Sequence, residues 1–468
     1  MRQSHADAIA LASFLASVLP LASAPGQEVS SAYAERAERR VAFKNRKVQA
    51  AVTAGIDWLL DHQSTDGRWD CDGFMLGHPE GQRCDGPGGA QHDVGVTALA
   101  VLALLAQADP IHDEPVRRAV DWLVKQQNRA SGLVVRQIGD FVYEQAMATV
   151  AFAEAAAMFD TDRYRTAAKR ALGYLESHRN PEAGWRYRPR DGNNDTSIAS
   201  WCVAAYCAAH DAGLEVPPAA LGEVLTWLES VTMWNGRSGY SNRGEMSARK
   251  PGDHGKKFPV MRGEAMTAAG MNIRAMCSLS PKSRLNLEAG ELLLGKLPVW
   301  EESAIDFYYW FHGTEAMVAH PERSARRKWM AALHAAVLGQ QRDDGAFRGS
   351  WDPVGAWGEN GGRVYTTAIT VLMLSSPYRR AHGDLEAMIP DREPFRRVHY
   401  LWSRGEIGAA IGKLAEIDEA ALAPADIELR RRIRFYVRVH EVHGMKLVER
   451  IVQIWPLMSA MRPGRCST

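Results

Sequence analysis

The strongest constraint on this chain is a unit of about fifty residues that recurs six times along it. Each copy reads as a helix, a Gly/aromatic turn, a loop and a second, more apolar helix. The clearest copy opens with AVTAGIDWLLDHQ (Ala51 to Gln63), breaks at Ser64-Thr65-Asp66-Gly67-Arg68-Trp69 and resumes as DVGVTALAVLALLA from Asp93. Apolar residues fall at helical spacing in both halves. Later units start their first helices near Val116, Thr166, Ala219, Leu287 and Arg327, and their second near Tyr143, Thr196, Arg262, Asp306 and Val364. Gly184-Trp185, Gly239-Tyr240 and Asp343-Asp344-Gly345-Ala346-Phe347 mark the turns of the third, fourth and sixth units; the fifth lacks one. Strand signals are missing throughout.

A single helix pair cannot bury both faces of its apolar second helix, so the units must stack on one another. Six pairs with no polar capping unit predict a closed ring: an all-α fold, specifically an α/α toroid of α6/α6 type. The second helices should form the inner wall, with their N-terminal ends at one mouth. The repeats delimit a toroid over residues 48–380, preceded by a linker at 25–47 and followed by a helical extension at 381–468. That extension begins where Pro377, Pro390 and Pro394 interrupt the pattern. Its Arg430, Arg431, Arg432 and Arg434 read either as a solvated face or as a dock for a protein partner.

Composition narrows the function classes. With 46% hydrophobic and 24% charged residues over 468 positions, the chain reads as folded. Lys and Arg (56) nearly balance Asp and Glu (55), which argues against nucleic acid as a partner. The apolar run from Ala8 to Ala24, ending Ala22-Ser23-Ala24, has the form of a signal peptide over residues 1–24 and predicts a secreted or periplasmic protein. No other stretch is long and apolar enough to predict a membrane span once that segment is removed. Cys71 and Cys84 share a Gly-rich loop and form either a disulfide or two free thiols. Cys202 and Cys207 sit in an apolar helical stretch without metal-ligand spacing and read as buried thiols. The sequence predicts neither a metal nor any other cofactor.

The run Gln63-Ser64-Thr65-Asp66-Gly67-Arg68-Trp69, echoed by Gln341-Arg342-Asp343-Asp344-Gly345-Ala346-Phe347, resembles the repeat of squalene/oxidosqualene cyclases and protein prenyltransferase β subunits. The resemblance covers roughly residues 48–378. GWRYRPRDGNNDTSIASW and GSWDPVGAWGENGGRVYTTA are most similar to bacterial prenyltransferase/squalene-oxidase repeat proteins. The resemblance implies a ligand site at the inner-helix N-termini, where helix dipoles meet the ring centre. Class II cyclases carry a DxDD motif there, and its middle Asp donates the initiating proton. In the matching stretch Gly192-Asn193-Asn194-Asp195-Thr196 only Asp195 remains, as an N-cap or as an acid. The prenyltransferase zinc triad is also unmatched: Asp306 survives, but Tyr308 stands for its Cys and Thr366 for its His.

The candidate site is therefore a set of polar and aromatic residues at the inner-helix starts. Asp195 and Asp306 are the catalytic candidates. Asp93, Tyr143, Glu144, Glu264, Tyr308, Tyr309, Trp310, His312, Arg363 and Tyr365 are the candidate ligand-binding residues. Two readings stand: an aromatic-lined cavity with acids at its mouth, suited to an extended apolar (isoprenoid-like) or glycan ligand, or caps and core packing. The loop Met246 to Met261 is basic and Gly/Pro-marked, fit either for a lid over the mouth or for a surface loop. Three functions follow. One is a prenyl-lipid-binding or cyclase-like protein; another is a non-catalytic interaction scaffold. The third is a glycan-active enzyme using acids such as Glu144 and Glu264.

Overall fold

The computed structural model of the protein describes residues 31–379, 385–404 and 406–460; the expected signal peptide lies outside them. Among the described residues the fold is all-helical, with one isolated bridge between Thr232 and Ser238 and no strand. The outer helices are α2 (Arg46–Asp61), α4 (Asp113–Gln126), α6 (Asp162–His178), α8 (Pro218–Val231), α10 (Arg284–Leu294) and α12 (Arg323–Val337). Alternating with them in the chain are the inner helices α3 (Asp93–Leu105), α5 (Val142–Phe159), α7 (Thr196–Asp211), α9 (Ala265–Met276), α11 (Phe307–Val318) and α13 (Gly358–Arg379). The sequence sorts the two layers. On α4 only the stripe Val116, Ala119, Val120, Trp122 and Leu123 is buried, whereas α3 is buried on every side from Val94 to Leu105.

Each inner helix packs on the next, and α13 packs back on α3, so the six close into the α6/α6 toroid that the repeats predict. The repeat residues show how. The Gln63 amide donates to Gly67 O in its own turn and to Pro115 O at the start of the next outer helix. Gln127 does the same with Gly132 O and Ala167 O. Gln341 repeats the bond with Gly349 O, and its second bond returns to Ala51 O in the first unit, at 2.8 Å. The stitch between neighbours thus also closes the ring.

The turn aromatic is held just as regularly. Trp69 donates from Nε1 to Leu59 O, Trp185 to Leu175 O and Trp351 to Val337 O, at 2.7–2.8 Å, and all three are fully buried. In the sixth unit that residue is Trp351, where the sequence pattern points to Phe347. Phe347 instead lies half-buried beneath the guanidinium groups of Arg342 and Arg363. At the seam between first and last units, Gly362 takes φ 62° and lies against Gly86 and Gly88, where a Cβ would come within 2.4 Å of Gly88 N.

The stretch read as a linker contains a helix, α1 (Ser31–Ala42), charged and with few large apolar residues. It lies across the C-terminal ends of the inner helices. There Arg36 reaches Leu105 O and Glu154, Arg39 reaches Tyr378 O, and Arg40 pairs with Asp109. Glu154 also pairs with Arg379, and Arg379 with Glu315, so buried charges from α1, α5, α11 and α13 meet at the base.

The C-terminal extension comprises α14 (Arg396–Ser403), α15 (Ile407–Glu416) and α16 (Pro424–Ala460), and α16 runs along α8. Its arginines largely serve the chain itself. Arg430 is buried on Leu414 O and Glu419, Arg431 donates to His210 O, and Arg432 pairs with Asp211. Arg434 is exposed. The arginine run is therefore mostly an intramolecular clamp, which removes the feature that suggested a partner dock.

Candidate functional site

All six inner helices start at the same end of the ring, opposite α1. Most of the acids there are already engaged. Asp93, the first residue of α3, accepts from Cys71 N and faces Arg68. Glu144 accepts from His92 Nδ1 at 2.7 Å and from Gly95 N, securing the start of α3. Glu264 holds Arg237 through both oxygens and accepts from Thr267. The two acids of the glycan-hydrolysis reading are thus fixed in structural pairs. Arg363 is buried between Asp85 and Asp352 and locks the seam.

Several predicted aromatics also face away from the centre. Tyr309 donates to Lys296 O and packs edge-on to Trp329 of the outer helix. Trp310 is buried against Trp300 and Phe307. A helix shows its residues to all sides, so Tyr308, Tyr309, Trp310 and His312 cannot all share a cavity wall. Tyr309 and Trp310 are core, in place of the ligand contacts expected of them.

What the fold does bring together at the centre is Tyr143, Tyr308, Tyr365 and His312. The Tyr143 hydroxyl donates to Ser197 Oγ, and Ser197 Oγ also lies 2.6 Å from the Tyr308 hydroxyl, a polar chain across α5, α7 and α11. Tyr143, Tyr308 and Tyr365 keep part of their surface open although protein surrounds each of them. Met147, one turn below Tyr143, does the same. Together they leave partly accessible surface inside the ring.

His312 sits edge-on to the Tyr308 ring and is fully buried, with Nδ1 near Ser200 Oγ and Asn272 Nδ2. Burial lowers its pKa to about 3, so it stays neutral at physiological pH. Ser197 and Met147 were not legible in the sequence: a serine after an N-cap and a methionine in an apolar helix carry no signal of their own.

Behind the tyrosines lie the two catalytic candidates. Asp195 caps α7, accepting from Ile198 N at 2.7 Å, and is fully buried. Burial pushes its carboxyl up to about 7, against the Ile198 amide and the Arg186 charge 3.9 Å away; Oδ2 has no hydrogen-bond partner of normal length. Tyr187 and Tyr240, hydrogen-bonded to each other at 2.6 Å, stand beside it. Asp306 caps α11 through Tyr309 N, and Arg249 from the 246–261 loop pairs with its other oxygen at 3.1 Å. Burial raises its pKa, with Arg249 opposing.

The same loop extends to the last unit, with His254 on Ala356 O and Arg249 over the Trp357 ring. It spans from α9 to α13 above the mouth. Beside it opens a cleft of about 530 Å³ between Phe258, Trp300 and Asp352. A second cleft, about 730 Å³, lies on the far side, walled by Gln137, Phe141, Tyr187 and Arg188.

The Asp195 shift makes stability depend on pH with a definite sign. The folded-state pKa of about 7 stands above the ordinary carboxyl value, so between roughly pH 4 and 7 the folded state binds the extra proton. Stability falls as pH rises through that window. Asp195→Asn keeps an acceptor for the Ile198 amide and removes the charge. It should be more stable than wild type at pH 8, by an amount of the order of 2–4 kcal/mol, and nearly equal to it at pH 4.5, as read by urea unfolding at both pH values.

The fold and site together define an α6/α6 toroid with partly accessible tyrosines at its centre under one partly covered mouth. Residues 37–138, which hold the first helix pair and the outer helix of the second, match the family model of the squalene-hopene cyclase C-terminal domain. No curated protein matches the chain in sequence. Among solved structures, an inactive variant of the α-1,6-mannanase GH76A of Salegentibacter sp. HEL1_6, with α-1,6-mannotriose, is similar at TM-score 0.50 and 8% identity. It covers 71% of this chain and 99% of its own. A variant of the type II terpene cyclase MstE from Scytonema, in complex with geranylgeranyl dihydroxybenzoate, is similar at TM-score 0.49 and 14% identity, covering 71% and 98%. A protein from Actinoplanes is similar at TM-score 0.44 and 17% identity, covering 70% and 99%. The repeat residues and the matched segment make this chain terpenoid-cyclase-like, and its ring is the α/α toroid.

Proposed function

We propose that the protein binds an apolar, isoprenoid-like molecule in the centre of the ring, with its polar end at the mouth. The observation that carries this is the partly open surface of Tyr143, Tyr308 and Tyr365 deep inside an otherwise packed ring. Aromatic faces suit an unsaturated hydrocarbon, and the hydroxyl chain through Ser197 gives it one polar register point. The terpenoid-cyclase-like repeat supports the same ligand class. Protonation chemistry is not part of the proposal: Asp195 is sealed beneath the tyrosines and Asp306 is neutralised by Arg249. Export belongs to it as well, resting on the apolar run Ala8 to Ala24, and an intact mass showing removal of residues 1–24 checks it.

Native mass spectrometry with lipid extraction tests the binding. The purified protein should carry, or take up from an added polyprenol, one molecule per chain. A Tyr143→Ala/Tyr308→Ala variant, still cooperative in thermal unfolding, should lose about 5- to 150-fold in affinity, the effect of removing two aromatic contacts of about 0.5–1.5 kcal/mol each. Uptake unchanged in that variant would place the ligand elsewhere and defeat the proposal.

A further inference from the structure

The Gly-rich loop of the first unit carries an arrangement that the proposed ligand site does not use. Cys71 and Cys84, one of whose sequence readings is a disulfide, are separate thiols with separate surroundings. Cys71 Sγ faces the carbonyls of Asn360 and Gly361 across the seam, and Cys84 Sγ lies 3.2 Å from His62 Nε2. His62 Nδ1 is 2.8 Å from Trp58 O, so it carries the proton and donates, leaving the Nε2 lone pair aimed at the sulfur. The His78 ring stands 4.5 Å from the His62 ring, and His78 Nε2 is 3.9 Å from Asp61 Oδ2. One donor atom from each of Asp61, His62 and His78 lies within 4.8 Å of the others.

We infer that Cys84, His62, His78 and Asp61 form a zinc site that pins this loop to the end of α2. The donor set is one sulfur, two imidazoles and a carboxylate, the mixture that tetrahedral zinc accepts. Bond lengths of about 2.0–2.3 Å place donors in a tetrahedron roughly 3.3–3.6 Å apart. The Cys84–His62 distance of 3.2 Å is already close to that; the Asp61, His62 and His78 donors, within 4.8 Å of one another, close in on binding, and Cys84 joins them through its contact with His62.

Support around the donors is rigid. The Trp58 carbonyl fixes the His62 tautomer in the manner of an outer-shell partner, and the Trp58 ring stacks on the imidazole at 4.1 Å. Buried Arg363 grips Asp85, the residue after Cys84, through both its carbonyl and its carboxylate. A thiol–imidazole nucleophile is the competing use of this pair. Burial works against it: both side chains are almost fully enclosed, out of reach of a substrate. The sequence reading, which expects no metal, missed the site because the ligands come from a helix end and two loop positions without CxxC spacing.

Cobalt and zinc titration of the chelator-treated full-length protein tests the inference. One Co(II) per chain should bind with the intense visible bands of tetrahedral cobalt and a thiolate-to-metal charge-transfer band. Cys84→Ser should abolish the charge-transfer band while Cys71→Ser keeps it. His78→Ala, at a half-exposed position that folding tolerates, should weaken binding beyond the roughly 10–100-fold that an outer-shell partner is worth. Zinc should raise the unfolding temperature of wild type and leave that of Cys84→Ser unchanged. No uptake by wild type, or a cobalt spectrum that survives both Cys84→Ser and His78→Ala, would overturn the site.

Discussion

Glu154→Gln should cost about 3–5 kcal/mol of unfolding free energy, the range found when one partner of a buried ion network is removed. Glu154 stands at the base of the ring between Arg36 of α1, at 2.9 Å, and Arg379 of α13, at 3.1 Å. Both arginines are almost completely enclosed. With a neutral amide at this position, two guanidinium groups face one another in a low-dielectric site, with Glu315 beside Arg379. Urea unfolding at pH 7 measures the loss. Arg40→Ala is the comparison: Arg40 belongs to the same helix and pairs with Asp109 at the surface, so its removal should cost within about 1 kcal/mol. Equal losses in the two variants would show that the base network contributes no more than a surface pair.

Trp351→Ala should be as damaging, about 3–5 kcal/mol, through the cavity it leaves. The indole is fully buried, donates to Val337 O, and has Gly55 of the first unit against its ring. It therefore fills the junction between the last unit and the first, where no further repeat can compensate. Phe347→Ala, four residues earlier and half-buried, should cost only about 1–2 kcal/mol. Thermal and urea unfolding of the two variants separate them, and a larger loss for Phe347→Ala would reverse the assignment of the sixth turn.

The contrast between Trp351 and Phe347 shows what could be read from the chain alone. Helix number, layer and ring closure follow from periodicity and from the Gln and Trp positions, because each repeat satisfies the same local hydrogen bonds. Spacing within a turn is less constrained. The loop between Gly345 and Trp351 inserts residues, so the aromatic nearest the glycine is not the one that inserts.

At the site, the sequence pointed to the N-terminal ends of the inner helices and named Tyr143, Tyr308, Tyr365 and Asp195, which the fold brings to the same end of the ring. Which residues of Asp306–His312 face the centre depends on the rotation of α11, and a helix buried on all sides has no apolar stripe to reveal it. Likewise the partners that neutralise Glu144, Glu264 and Asp306 come from His92, Arg237 and Arg249, on loops whose course no local pattern fixes.

The helix across the base bears on how any occupant could behave. With α1 spread beneath α3, α5 and α13 and its arginines threaded among their ends, the ring is a cup and not a pipe. If the proposed ligand lies with its polar end at the mouth, it would enter apolar end first and leave polar end first. The closed base would then bound the length of chain that can be enclosed, and selection by length would follow from geometry, with no contact devoted to measuring it.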